Sequence, residues 1–121
     1  MHKTGSILIV LMFCLAGCSS LSQITEQDIQ NRFQAAQSIK DNAERDDALC
    51  SLAFKAAKAG MDEITEDIIK EIGRNDLRDS SNHKCALLLV KQGKMTEATR
   101  IAKSIKDNDL RDKTLTKIAE Q

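Results

Sequence analysis

Ile39-Lys40-Asp41-Asn42-Ala43-Glu44-Arg45-Asp46 returns 66 residues later as Ile105-Lys106-Asp107-Asn108-Asp109-Leu110-Arg111-Asp112, with six of eight positions identical. Half of that interval is 33, and the midpoint segment, Ile72-Gly73-Arg74-Asn75-Asp76-Leu77-Arg78-Asp79, keeps the Ile, Asn, Arg and Asp in register. The spacing holds on the flanks. Leu52, Cys85 and Ile118 coincide, as do Ala53, Ala86 and Ala119; Gly60 meets Gly93, and Ile68 meets Ile101. Self-similarity at a fixed period of this size marks stacked repeats, in which no unit buries its apolar face alone.

Each unit reads as two helices. The first is predicted over 43–59 and again over 76–92, with Leu49, Leu52, Ala53 and Ala56 at i, i+3, i+4, i+7 spacing. Asn42, Asn75 and Asn108 stand where N-caps belong, with acidic residues in the following turn. Gly60 and Gly93 stand where the first helix must stop, because glycine accepts left-handed backbone angles. The second helix is predicted over 62–72 and 96–105, with stripes Ile64, Ile68, Ile69, Ile72 and Ala98, Ile101, Ala102, Ile105. A helix over 25–39 precedes them, carrying Ile29, Phe33, Ala36 and Ile39. A last one over 109–119 caps the stack, with Lys113, Lys117 and Glu120 to keep its outside wet. The expected fold is all-α: an αα-hairpin solenoid of about three hairpins over 25–121.

Composition agrees. The 121 residues contain no Pro, Trp or Tyr and three Phe, which disfavours a β-sandwich and base-stacking platforms. Eighteen basic residues balance eighteen acidic ones, removing the electrostatic case for nucleic-acid binding.

Gly93, the Ala98 five residues after it, and Ala86 and Leu89 before it resemble the tetratricopeptide-repeat superfamily. The 33-residue unit is close to that family's usual length; the Trp or Tyr that the family often has in the first helix and a boundary Pro are missing, and Thr65 stands where the family has Ala. The residues are also compatible with other αα-solenoids. The resemblance implies that first helices line a concave, peptide-binding face. By register that face is Asp47, Cys50, Phe54, Ala57, Lys58, then Ser80, His83, Leu87, Val90, Lys91, then Lys113 and Thr116.

The opening segment reads as an address. Lys3 precedes the apolar run Ile7-Leu8-Ile9-Val10-Leu11-Met12-Phe13, which is too short to span a bilayer. It ends in Leu15-Ala16-Gly17-Cys18, which resembles the lipobox of bacterial lipoprotein precursors. That resemblance implies cleavage of residues 1–17, a diacylglyceryl group on Cys18, and an acyl chain such as palmitate on the new amino terminus. Residues 18–24 then form a lipidated tether, and Ser19 is compatible with sorting to the periplasmic face of the outer membrane.

Chemistry is sparse. Cys50 and Cys85 are the cysteines outside the leader and anchor, and they are candidates for a disulfide in an oxidising compartment. Cys85 also fits as a small buried hydrophobe. His83 and Cys85 are i, i+2 and point to different faces, so no metal site is expected. No nucleophile triad, phosphate loop or cofactor motif occurs. The rows Arg45, Arg78, Arg111 and Asp46, Asp79, Asp112 read either as an anion site or, preferred, as an ion-pair ladder between repeats.

The expected function is therefore non-enzymatic. It is a membrane-anchored lipoprotein held by the lipid on Cys18, docking another envelope protein or exported segment through Asp47, Cys50, Phe54, Lys58, His83, Leu87 and Lys91. Neither a metal nor a cofactor nor nucleic acid enters it. The alternative is an inhibitor or immunity-type lipoprotein that binds and blocks a toxin or envelope enzyme.

Overall fold

The computed structural model describes residues 23–121. The leader 1–17, Cys18 and all of the tether except Gln23 and Ile24 lie outside the described residues. The described part is all-helical: α1 Glu26–Gln37, α2 Asn42–Lys58, α3 Asp62–Lys70, α4 Asn75–Lys91, α5 Met95–Lys103 and α6 Asn108–Ala119.

Each helix packs on the next in sequence, and α2, α4 and α6 pack side by side. Leu49, Leu52, Ala53 and Ala56 of α2 meet Ile64, Ile68 and Ile69 of α3 in one core, all at most 5% exposed. Ala86 and Leu89 of α4 meet Ala98, Ile101, Ala102 and Ile118 in a second. Burying each Ile or Leu contributes about 1.5–3 kcal/mol. The alanines let the helices approach closely, which is how the core forms with so few aromatics.

The helix ends follow local chemistry. Thr25 and Asp28 form a capping box on α1, the Thr hydroxyl accepting from Asp28 N–H at 3.1 Å. α2 and α4 stop at Gly60 (φ 78°) and Gly93 (φ 81°), as expected. There the N–H of Met61 reaches Ala56 O and that of Gly60 reaches Ala57 O; Lys94 to Leu89 and Gly93 to Val90 repeat the pattern.

The caps of the long helices correct the sequence reading. They lie one residue earlier than the asparagines, at Asp41, Arg74 and Asp107. Asp41 Oδ1 accepts from Glu44 N–H at 2.9 Å and Asp107 Oδ1 from Leu110 N–H at 2.8 Å. A carboxylate in extended backbone is the stronger acceptor for these free donors. Asn42 and Asn108 instead accept from the guanidinium groups of Arg45 (2.6 Å) and Arg111 (2.7 Å). Arg74 supplies no side-chain cap.

Candidate functional site

The aspartates of the Arg and Asp rows tie the long helices to the connections that follow. Among the described residues the two rows do not pair with each other, so the expected ion-pair ladder does not form. Asp46 is 3% exposed and bridges the α3–α4 connection, with Oδ1 accepting from Gly73 N–H (2.9 Å) and Oδ2 from Arg74 N–H (3.2 Å). Asp79 does the same to the α5–α6 connection, taking the N–H groups of Lys106 and Asp107 at 3.0 Å each. The guanidinium groups turn back onto the carbonyls of their own connections: Arg45 to Ile39, Arg78 to Ile72 and Gly73, Arg111 to Ile105. Each arginine thus spends two of its five donors within its own connection.

These bonds set α2 and α4 side by side and leave a groove of about 470 Å³ between them. Phe54 stands on its α2 wall, 41% exposed, with Cys50 beside it. Leu77, Ser81 and Cys85 form the α4 wall, and Lys55 and Lys84 bring positive charge to the edge. An exposed aromatic over an apolar floor between two basic groups is suited to an apolar side chain near a carboxylate.

The expected site residues are only partly brought together. Cys50 and Phe54 share this groove. His83 sits on the other side of α4, its Nδ1 2.7 Å from the hydroxyl of Thr114 on α6. That hydroxyl already donates to Leu110 O at 2.7 Å, so His83 Nδ1 carries the hydrogen and donates to it. Burial, followed by the charges of Lys117, Lys113 and Lys84, lowers the His83 pKa below its ordinary 6.5. Lys58 lines a separate hollow with Gln23 and Ile24. Leu87 is half-buried, while Asp47 and Lys91 are exposed and make no side-chain bond among the described residues.

Cys50 and Cys85 are both free thiols. Cys50 Sγ accepts from Ser81 Oγ at 3.4 Å, a pair in the same register as His83 and Thr114. Cys85 is 1% exposed, and burial pushes its thiol up to about 12, with Cys50 adding to the rise. It is a core residue at neutral pH and no nucleophile. Among the described residues no group of His, Cys, Asp and Glu could hold a metal ion, and no helix is long and apolar enough to cross a membrane.

Leu77, Ser81 and Lys84 were not singled out by the sequence. Repeat register groups the residues of first helices at like positions, whereas a groove joins one face of α2 to the opposite face of α4. The signal was the chain separation of about one repeat between packed first helices, here 31 for Cys50 and Ser81.

No family model matches the chain, and neither a curated protein nor a solved structure matches it, so the functional reading rests on these residues.

Proposed function

We propose that the chain is a lipid-anchored protein of the cell envelope, held through Cys18, whose helical domain docks a segment of another envelope protein. The domain on this reading is an αα-solenoid of tetratricopeptide-like hairpins, and the lipid places it on the periplasmic face of the outer membrane. The lipobox-like Leu15-Ala16-Gly17-Cys18 supports the anchor, and the 33-residue repeat supports the architecture. The observation that carries the binding role is Phe54, an exposed aromatic on the wall of an apolar groove edged by Lys55 and Lys84. Anchoring concentrates such a groove in the plane where its partner lies, raising occupancy without new contacts. The role assigned is tethering, with no catalytic step.

A photoreactive residue at position 54 of the full-length protein, crosslinked in intact cells, tests this. One dominant crosslinked envelope protein is expected, lost with Leu77→Ser and retained with Lys91→Ala. Absence of that product, or crosslinks unaffected by Leu77→Ser, removes the groove from the proposal. A captured toxin or enzyme whose activity falls on binding moves the function to the inhibitor class. Cys18→Ala should release the protein from membranes; retention of the variant there defeats the anchor.

A further inference from the structure

Asp46 and Asp79 each hold a connection 27 and 28 residues downstream. Asp112 stands 33 residues after Asp79, on α6; it is exposed and accepts no hydrogen bond among the described residues. At the other end of the domain, Lys40 and Asp41 connect α1 to α2, and their N–H groups meet no acceptor among the described residues. Ile39-Lys40-Asp41-Asn42 is letter for letter Ile105-Lys106-Asp107-Asn108, the connection that Asp79 holds. An idle acceptor therefore lies at one end, and the connection it is suited to hold lies idle at the other.

The surfaces around the two sites also match. In each complete unit the groove between a second helix and the following first helix is filled by the preceding first helix. Between α1 and α2 that groove is open, about 390 Å³, and is lined by the apolar Ala35, Ile39, Ala48 and Leu52 and by the basic Arg32 and Lys55. α6 has an uncovered strip to offer. Its Leu115 and Ala119 are half-buried and exposed, whereas their register equivalents Leu49 and Ala53 are fully buried. One set of charges is complementary as well. Ser51 faces Leu77 and Ser80 across the groove at Phe54. Shifted by the repeat, that juxtaposition sets Lys117 of α6 against Glu44 and Asp47 of α2.

We propose that a second copy of this chain occupies the α1–α2 groove, head to tail, with Asp112 of one copy accepting the N–H groups of Lys40 and Asp41 of the next. The contact is heterologous, so each added copy leaves the same two surfaces at its ends, and association continues or closes into a ring. It uses neither Phe54 nor its groove, and it stands independently of the docking role proposed above.

The test uses two differently tagged full-length copies in their native membranes, both carrying Cys50→Ala and Cys85→Ala. One carries Lys117→Cys and the other Asp47→Cys, which leaves Asp112 intact. Mild oxidation should join the two tags in one band, and neither variant alone should dimerise through its new position. A band from Lys117→Cys alone, monomer only, or capture of position 117 by a different protein overturns the proposal. Sedimentation of the purified lipidated protein in detergent gives a second readout. Asp112→Asn should weaken self-association roughly tenfold or more by removing half the charge-assisted acceptor. At concentrations where the protein is monomeric its thermal unfolding should not change, since Asp112 accepts no hydrogen bond among the described residues. Undiminished association of Asp112→Asn also overturns the proposal, whatever membrane the anchor selects.

Discussion

The α3–α4 and α5–α6 connections do the same work with different parts. Both bury an isoleucine, Ile72 and Ile105 at 1% exposure each, and both give two N–H groups to a buried aspartate. The second also has a local cap, Asp107, and an arginine shared between Ile105 O and Asn108. The first has Arg74 in place of the cap, and Arg78 spends both its bonds on the carbonyls of Ile72 and Gly73. Arg74 instead pairs at the surface with Asp76, whose carboxyl it holds below the usual range. The local cap is thus dispensable, while the long-range grip is retained at both places.

The sharpest way to break that contrast is to remove a grip. Asp46→Ala or Asp79→Ala strands two backbone donors and should cost about 2–4 kcal/mol, read as a lower urea midpoint. The two turn glycines come next. Both need positive φ, so alanine at either should cost about 1–2 kcal/mol. Gly60→Ala should cost more than Gly93→Ala, because its new Cβ meets Gln92 Oε1 at 2.9 Å while Gly93 has open space. That Gln92 also donates to Ala57 O and Lys58 O at the end of α2. Equal losses at the two glycines would show that Gln92 yields freely.

Smaller effects probe the caps. Asp107→Ala should cost about 1 kcal/mol, well short of Asp79→Ala, and Arg74→Asp should gain about 0.5–1 kcal/mol by supplying the cap α4 lacks. An unchanged midpoint for Arg74→Asp would mean the surface pair with Asp76 already matches a cap.

The smallest effect compares the equivalent pairs Cys50–Ser81 and His83–Thr114. The folded pKa of His83 is lowered, so below its unfolded value near 6.5 the unfolded chain binds the proton first. Stability should decline as pH falls through 6.5 and level off below the folded pKa. His83→Gln should flatten that decline; an unchanged slope would assign it to other groups.

Element type and order were legible because the repeat, the apolar stripes and the two stop glycines all point the same way. The caps were misplaced by one residue because Asp41-Asn42 and Asp107-Asn108 each offer two good capping residues in a row, and only the backbone angles decide between them. The periodic aspartates were visible, but their partners were not: a backbone N–H is carried by nearly every residue and leaves no mark in the alphabet. The candidate site was half readable. Phe54 and Cys50 stand out by type and register, whereas Leu77 and Lys84 join them only through the stagger of α4 against α2.

The aspartate grips also bear on how fast the chain folds. Each closes a loop of 27 or 28 residues, and closure entropy grows only slowly with length. The packed helices are neighbours or next neighbours in sequence, which places the domain among chains of low contact order that fold in microseconds to milliseconds. The two grips share no residue, so one can form before the other. Refolding after a denaturant jump should be rapid, with Asp46→Ala and Asp79→Ala slowing the organisation of different halves of the domain.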